Sequence, residues 1–462
     1  MQIKQFEDKG LAQYSYGIMS DCAKEIVLID PARDPNPYYS YAKANDAKII
    51  GVVLTHSHAD FISSHAEIHR TTGATIFTSN HMEGKFPHQK ISEGEIIKLG
   101  KITLKAIYTP GHSFDSISIL LEHGGKDKAI FTGDTLFIGD VGRPDLRGNG
   151  ENAAKMRVEL ATQMFNTIHS KLKTLEEDII VYPGHGAGTL CGKSLSQDST
   201  STIGREVREN YAFEERSEES FVTILLENQP FIPQYFNYDV AMNKAGAPDM
   251  EKSLKEIRTL KEIDNSNQFV IVDTRPEKMF KEGHLKGALN IQNGGKFETW
   301  LGTLVSPKDK FIVIAENSLQ MEEVIRKAAK IGYELNIAGT MIAHRAQERT
   351  ETLPIAAFKE NQSDFTIVDI RSKEEAADKI FENSINIPLP ELKERVGEIP
   401  TAKPIVVHCA GGYRSAIGSS LLQNELPKVK VYDLSDAIKE WSTQKTLNKK
   451  NKSLNNKIYD HK

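Results

Sequence analysis

Four short apolar segments in the first half of the sequence each end in a cluster of histidine, aspartate or glycine residues. The segments are IIGVVL (49–54), LKAIY (104–108), KAIF (128–131) and DIIVY (178–182). Each is rich in β-branched residues and stops at polar residues, which predicts a buried β-strand that leads into a loop. The loops read THSHAD (55–60), TPGH (109–112), TGD (132–134) and PGH (183–185). Strands that deliver His and Asp at their carboxyl ends predict a metal site at the rim of a sheet.

The spacing His-x-His-x-Asp suits a loop better than a regular strand, because a strand cannot turn all three side chains towards one metal. A loop can present them to one ion or to two. A single His-x-His is more often structural than a ligand. Here, however, the clusters together supply several imidazole and carboxylate donors of the kind that divalent metals accept: His56, His58, Asp60, His112, Asp134 and His185.

These four clusters, taken together, resemble the metallo-β-lactamase fold over residues 1 to about 225. The resemblance implies an αββα sandwich with the metal at its rim. The usual motif of that family is His-x-His-x-Asp-His, and its last position here is Phe61. In dinuclear members the residues matching Asp60, Phe61 and His185 hold the second metal. Because phenylalanine cannot bind a metal, the sequence predicts a single ion.

Within this fold the sequence is similar to persulfide dioxygenases. That resemblance implies one Fe(II) per chain, held by the residues matching His56, His112 and Asp134. Two imidazoles and one carboxylate form the ligand triad of non-haem Fe(II) oxygenases, with open positions for substrate and oxygen. The same three residues could hold zinc, although zinc sites commonly have more nitrogen or sulfur ligands.

The resemblance also implies a substrate-orienting role for Arg143, in the segment VGRPD (141–145). The alternative is a structural salt bridge with Asp145. Cys191 lies on a glycine-rich loop six residues beyond His185, where it would guard the pocket or take up sulfur, or else be a buried or idle loop cysteine. We expect His58 and Asp60 to orient ligands or accept protons. His185 is expected to face the same pocket, and its coordination to the metal stays open.

The second half of the chain repeats itself. FVIVDTRPEKMF (269–280) and FTIVDIRSKEEA (365–376) share a strand, an Asp-x-Arg turn and an acidic helix start. Each continues through an Asn-Ile pair (290–291 and 386–387) to a later strand, FIVIAEN (311–317) or PIVVHCA (404–410). This pattern predicts two α/β units of about 100 residues each. The Pro- and Asn-rich segment 229–249 before them is expected to be a boundary.

The segment CAGGYR (409–414) follows the later strand of the second unit. It resembles Cys-x-x-Gly-x-Arg, the active loop of rhodanese sulfurtransferases, and the resemblance spans about 355–445. A loop curled around Cys409 would point backbone N–H groups at an anion, with substrate bound by Gly411, Gly412 and Tyr413, and Arg414 would add positive charge. The matching loop of the first unit reads AENSLQ (315–320) and lacks a cysteine. That unit is expected to be a spacer or interface.

The sequence therefore predicts an α/β multidomain protein with bounds at 1–245 (metallo-β-lactamase fold), 250–352 (Cys-less rhodanese-like), 353–445 (active rhodanese) and 446–462 (basic tail). Three scattered cysteines make a disulfide framework improbable, and Cys22 is expected to be structural. A net charge of −5 argues against general nucleic-acid binding. The N-terminus lacks a secretory pattern and no segment is apolar enough to cross a membrane, so a cytoplasmic location is expected.

These features predict an enzyme that oxidises a low-molecular-weight thiol persulfide with O2 to sulfite and thiol. Its rhodanese part would transfer sulfur through Cys409 to sulfite, giving thiosulfate, as in sulfide detoxification. The main alternative is a zinc-dependent thioester hydrolase of the glyoxalase II type fused to a rhodanese. A non-catalytic sulfur-relay scaffold is a third hypothesis, and the complete His56, His112 and Asp134 set argues against it. A homo-oligomer is expected, while the identity of the thiol carrier stays open.

Overall fold

The chain forms two compact units. The computed structural model describes residues 1–146, 152–193, 195–263, 268–343 and 347–443. The first unit comprises Met1–Glu256 with Arg326–Leu335, and the second comprises Ile257–Ile325 with Asn336–Lys462. The basic tail predicted at 446–462 lies outside the described residues, and the predicted domain bounds stay predictions.

The first unit contains two six-stranded sheets. The first sheet has the order β1-β2-β3-β4-β5-β6, and the second has the order β12-β11-β10-β9-β8-β7. The strands of the first sheet are β1 (Gln2–Asp8), β2 (Gln13–Ser20), β3 (Glu25–Ile29), β4 (Lys48–Leu54), β5 (Thr75–Ser79) and β6 (Gln89–Ile91). Those of the second are β7 (Ile96–Leu99), β8 (Ile102–Tyr108), β9 (Ile117–His123), β10 (Asp127–Gly133), β11 (Ile180–Pro183) and β12 (Ser201–Thr202). The four strands predicted from apolar segments are thus confirmed as β4, β8, β10 and β11.

Helices accompany both sheets of this unit. They are α1 (Asn36–Ala44), α2 (His65–Thr72), α3 (Ala153–Ser170), α4 (Ile203–Glu209), α5 (Glu218–Leu226), α6 (Phe236–Ala245) and α7 (Met250–Lys255). The segment 229–249, which was predicted to be a boundary, contains α6.

Three apolar clusters define the layers of the first unit. The central cluster joins the facing sides of the two sheets, for example Ile18 and Val27 with Leu104. A second cluster packs α1 and α2 on the outer face of the first sheet, and a third packs α3 and α5 on the outer face of the second. Because each sheet has one face on the other sheet and one face on helices, the unit is an αββα sandwich. The predicted fold of this part is confirmed.

The second unit contains two four-stranded sheets with the same topology. Their orders are β14-β13-β15-β16 and β18-β17-β19-β20, and every pairing is parallel. The first has β13 (Val270–Asp273), β14 (Ala288–Asn290), β15 (Phe311–Ala315) and β16 (Ile337–Ile342), with α8 (Glu277–Glu282), α9 (Phe297–Leu304) and α10 (Ser318–Ala329). The second has β17 (Thr366–Asp369), β18 (Ile385–Asn386), β19 (Ile405–His408) and β20 (Val431–Asp433), with α11 (Ile355–Glu360), α12 (Lys373–Ala377) and α13 (Tyr413–Glu425).

The Asp-x-Arg turns show that the duplication extends to side chains. Arg275 Nε and Nη2 donate to Asp273 at 3.0 and 2.6 Å, and the corresponding Arg371 distances to Asp369 are 2.9 and 2.6 Å. In each repeat an asparagine amide closes the turn by donating to the backbone carbonyls of the Asp and the Arg. The predicted internal repeat is therefore confirmed.

Among the described residues, no helix has the length and hydropathy that crossing a membrane would require.

Candidate functional site

Three of the predicted metal ligands converge in the first unit. His56 follows β4, His112 lies beyond β8 and Asp134 follows β10, and one ligand atom from each lies within 4.8 Å of the other two. Asp134 Oδ2 lies 3.9 Å from His56 Nε2 and 3.8 Å from His112 Nε2. These distances are too long for hydrogen bonds. They suit atoms that share one ion, since bonds of about 2.0–2.2 Å keep two donors up to ~4 Å apart.

Both imidazoles are oriented by bonds at their other nitrogen. His112 Nδ1 lies 2.9 Å from the carbonyl oxygen of Arg143, and that oxygen can only accept. His56 Nδ1 lies 3.0 Å from Thr55 Oγ1, whose hydroxyl donates to Asp30 Oδ2 at 2.6 Å. Each Nδ1 therefore carries the proton, and each Nε2 keeps a lone pair directed at the Asp134 side, as a metal ligand requires.

Asp30 is a supporting residue that the sequence analysis missed. It is buried at the end of β3, where it also accepts from the Thr55 backbone N–H at 2.8 Å. His58 Nε2 lies 3.0 Å from Asp30 Oδ1, so this nitrogen of His58 faces Asp30. The signal was present, because the apolar strand EIVLI ends in an aspartate in the same way as the four strands that were recognised.

The other predicted pocket residues form a second group beside the first. Asp60, His185 and Cys191 are all buried, and one ligand atom from each lies within 4.8 Å of the others. His185 Nε2 lies 3.2 Å from Asp60 Oδ2 and 3.5 Å from Asp134 Oδ1, so it adjoins both groups. Cys191 therefore lies beside the pocket, and its participation stays a prediction.

The electrostatics of the pocket favour a cation. Burial raises the pKa of Asp134 to about 6, and neighbouring Asp60 adds to the rise. Burial alone lowers the pKa of His185, but Asp134 and Asp60 outweigh it and raise the net value. Burial and the same two carboxylates raise the pKa of the Cys191 thiol well above its ordinary value. Asp134 Oδ2 is buried and faces the Nε2 atoms of His56 and His112, so a divalent ion fits the donor set present.

Backbone geometry lets the loops approach the ligands closely. A Cβ on Gly184 would lie 2.5 Å from Asp134 Oδ1, and one on Gly142 would lie 3.0 Å from the His112 Cβ.

Asn243 of α6 donates to the carbonyl oxygens of His58 and Phe61 at 3.0 and 2.8 Å. The supposed connector therefore helps to hold the His-x-His-x-Asp loop.

The Arg143 side chain is engaged in a structural pair. It is 1% exposed, and its Nε and Nη2 donate to the two carboxylate oxygens of Asp145 at 2.6 and 2.7 Å. Its Nη1 donates to the Leu190 carbonyl oxygen at 3.1 Å. These contacts favour the salt-bridge alternative, and the substrate-orienting role stays a prediction.

The candidate sulfurtransferase residue lies in a strand–loop–helix in the second unit. Cys409 directly follows β19 and is 1% exposed, whereas Ala410 and Gly411 above it are exposed. The Gly412 N–H donates to Cys409 Sγ with an N···S distance of 3.1 Å. Gly412 has φ +103°, which favours glycine, and α13 begins at the next residue. The loop thus directs a backbone donor at the sulfur, as an anionic thiolate or persulfide requires.

The charge on Arg414 is paired with a carboxylate, a contact that the loop motif does not indicate. Its Nη1 and Nη2 donate to the Glu375 carboxylate at 2.6 and 2.7 Å. Glu375 also caps α12 by accepting from the Ser372 N–H. Arg414 is therefore a fixed group, and its charge is partly neutralised.

Comparisons with known proteins assign both halves of the chain to known families. A family model of the metallo-β-lactamase superfamily matches residues 20–185, and a rhodanese-like domain model matches 256–339 and 355–444. The mitochondrial persulfide dioxygenase ETHE1 of Mus musculus is 26% identical, covering 42% of this chain and 72% of its own. A hydroxyacylglutathione hydrolase of Dictyostelium discoideum is 30% identical, covering 45% of this chain and 73% of its own. The crystal structure of a metallo-β-lactamase from Staphylococcus aureus subsp. aureus COL has a TM-score of 0.67 and 31% identity, covering 74% of this chain and 99% of that chain.

The chain belongs to the metallo-β-lactamase superfamily. It continues into tandem rhodanese-like domains, of which the second carries the cysteine loop.

For this superfamily member, the departure at Phe61 has a structural explanation. The Phe61 side chain is 2% exposed, and its ring packs on the His58 ring with centroids 4.3 Å apart. It therefore fills space beside the pocket instead of supplying a ligand. Cys191 adds a sulfur donor near Asp60 and His185, which leaves the number of metals open.

Arg143→Met is expected to destabilise the first unit by about 3–5 kcal/mol, because it leaves the Asp145 carboxylate without its buried partner. Urea unfolding of the purified protein measures this. Arg157→Met on the exposed face of α3 is the matched control, with an expected change within about 0.5 kcal/mol. Unchanged stability together with a raised KM for the substrate of the first unit would instead support the substrate-orienting role.

Glu375→Gln is expected to cost about 1 kcal/mol at neutral pH, because the pair with Arg414 is partly exposed to solvent. The Arg414 hydrogen bonds lower the pKa of Glu375 below its ordinary 4.5. The pair therefore stabilises the folded state fully at pH values above 4.5, the ordinary pKa of a glutamate carboxyl. This stabilisation is lost as the pH falls through the lower pKa that Glu375 has in the folded protein. The free energy of unfolding, measured in urea from neutral to acidic pH, should differ less from wild type as the pH falls. The neighbouring, exposed Glu374→Gln should show no such trend, and a pH-independent difference would contradict the pairing.

Proposed function

We propose that this chain oxidises the terminal sulfur of a low-molecular-weight thiol persulfide with O2 and then uses Cys409 to convert the sulfite formed into thiosulfate. The observation that carries the proposal is the convergence of two oriented imidazoles and one buried carboxylate, His56, His112 and Asp134, in a chain that also contains a persulfide-forming cysteine loop. The mouse persulfide dioxygenase among its relatives supports the same chemistry.

The first reaction takes place in the buried pocket. Fe(II) bound to His56, His112 and Asp134 would supply open positions for the persulfide sulfur and O2, together with the electrons for oxygen activation. Asp30, through Thr55, keeps the His56 ring in its ligating tautomer. The His185–Asp60 pair can hold and release a proton beside the reacting sulfur. Overall, one persulfide, one O2 and one water give one thiol, one sulfite and two protons.

The second reaction takes place at the rhodanese loop. The Cys409 thiolate attacks the outer sulfur of a second persulfide, the S–S bond breaks, and the thiol leaves with the electron pair. The Gly412 N–H, 3.1 Å from Sγ, stabilises the anionic sulfur before and after this step. Sulfite then attacks the outer sulfur of the Cys409 persulfide, which gives thiosulfate and restores the thiolate.

A zinc-dependent thioester hydrolase fused to a rhodanese is the second candidate. The observation that favours it is the adjacent donor group Asp60, His185 and Cys191, which would let a second ion bind despite Phe61. Two ions could activate a water for attack on a thioester carbonyl. The hydroxyacylglutathione hydrolase of Dictyostelium discoideum, 30% identical, supports this alternative.

One experiment distinguishes the two candidate functions by offering the same thiol, glutathione, once as a persulfide and once as a thioester. Glutathione persulfide and S-lactoylglutathione are supplied to the same anaerobically purified protein, and oxygen uptake and thiol release are recorded on admitting air. The proposal predicts oxygen uptake with the persulfide and no thiol release from the thioester. Thioester hydrolysis without oxygen uptake would overturn it in favour of the hydrolase.

A further inference from the structure

A segment of the Cys-less repeat lies against the loop that carries Cys409. The Tyr413 hydroxyl donates to the Gln292 carbonyl oxygen at 2.8 Å. Gly294 lies against the same ring, since a Cβ there would be 2.8 Å from Tyr413 Cε2. Gln292, Gly294 and Tyr413 all belong to the second unit, so these contacts are part of one compact body.

The other side of the loop is also held by the Cys-less repeat. A Cβ on Gly412 would lie 3.0 Å from the Ser435 backbone carbon, so the turn at Ser435 abuts the loop. The Ser435 hydroxyl hydrogen-bonds to Glu277 of α8, and Lys281 pairs with Asp433 at 2.8 Å. The residues next to Cys409 are thus supported from two directions by a repeat that has no cysteine of its own.

We propose that the Cys-less repeat is a positioning element of the sulfurtransferase site, in which Gln292–Gly294 fixes Tyr413 and thereby the backbone that faces Cys409. The Gly412 N–H that reaches the sulfur is one residue from Tyr413. A displaced Tyr413 ring therefore moves that donor away from Sγ. This gives the Cys-less repeat a role at the site of the other repeat, and it rests on the sulfur-transfer half of the proposed function.

The test compares two neighbouring glycines. Neither Gly294 nor Gly295 has a left-handed φ, so alanine is not strained by the backbone at either position. A Cβ on Gly294 meets the Tyr413 ring, whereas a Cβ on Gly295 has nothing within 4 Å. Gly294→Ala and Gly295→Ala thus differ only in the contact that the proposal invokes.

The activity readout is transfer from thiosulfate to cyanide by the full-length protein. The Cys409 thiolate takes the sulfane sulfur of thiosulfate, sulfite leaves with the electron pair, and cyanide then removes that sulfur as thiocyanate. Gly294→Ala should lower kcat about tenfold to a hundredfold, because small misplacements of reacting groups have such effects. Gly295→Ala should match wild type, and oxygen uptake with persulfide should be unchanged in both.

A second readout does not depend on turnover. The rate of Cys409 alkylation by iodoacetamide, followed on the Cys409 peptide by mass spectrometry, is measured against pH. Gly294→Ala should move its midpoint to higher pH, because the anionic sulfur loses part of its backbone donor, and Tyr413→Phe should move it in the same direction by a smaller amount. Tyr413→Phe keeps the test valid if Gly294→Ala is not properly folded, as judged by the absence of a cooperative unfolding transition.

The outcomes separate the inference from the function on which it rests. If the alkylation profiles of Gly294→Ala and Tyr413→Phe both equal that of wild type, the inference is overturned. The proposed sulfur transfer would not be affected by that result. A shifted profile in a protein whose wild type transfers no sulfur would uphold the positioning contact and refute the transfer half of the proposed function.

Discussion

Cys409→Ser is expected to abolish sulfur transfer while oxygen uptake with a thiol persulfide continues. A serine hydroxyl is not ionised at neutral pH and cannot form a persulfide, so thiosulfate:cyanide transfer should fall by roughly 10³-fold or more. Sulfite should then accumulate at the expense of thiosulfate in the initial rates. Ion chromatography of both anions during oxygen consumption measures the change.

Cys22→Ser is the matched control for this substitution. Cys22 is exposed in the turn between β2 and β3 and belongs to neither of the two sites described, and its replacement should leave both activities unchanged. If Cys409→Ser formed thiosulfate at the wild-type rate, another thiol would have to carry the sulfur. Cys191, buried at the pocket, would then be the candidate.

Asp134→Asn is expected to remove the bound metal and to reduce oxygen uptake by about 100-fold or more. The amide has almost the same shape as the carboxylate but lacks the charge that offsets a divalent ion in this buried pocket. Sulfur transfer at Cys409 should be unaffected, because it uses neither the metal nor the first unit. Elemental analysis and an oxygen electrode give the two readouts.

Asp127→Asn provides the control on the same strand. Asp127 begins β10 and is partly exposed, whereas Asp134 follows the other end of that strand. Metal content and oxygen uptake should equal wild type in this variant. Full metal content in Asp134→Asn would contradict the ligand assignment, whatever happened to its activity.

Local sequence patterns were sufficient for the strands that carry the site and for the internal repeat. A buried strand followed by His or Asp is encoded within a few residues, so the strands before His56, His112 and Asp134 could be located directly. The repeat was visible because both copies preserve an Asp-x-Arg turn, which in the structure forms two nearly identical ion pairs.

Supporting contacts between distant segments could not be predicted in this way. Asn243 holds the His58 loop from a helix 185 residues away, within a Pro- and Asn-rich segment that was interpreted as a connector. Glu375 pairs with Arg414 across 39 residues, and nothing local distinguishes it from the exposed Glu374. Such pairs depend on which distant elements the fold brings together, and local patterns in a single sequence do not reveal that.

Metal content, coupled to oxygen uptake, tests the central claim most directly. The protein is purified without oxygen, its metals are quantified, and a thiol persulfide is then added in an oxygen electrode. The account predicts about one iron per chain, absent from Asp134→Asn, and one O2 consumed for each sulfite or thiosulfate formed. Two zinc ions per chain with no oxygen uptake would contradict it, and would assign Asp60, His185 and Cys191 to the second ion of a hydrolase.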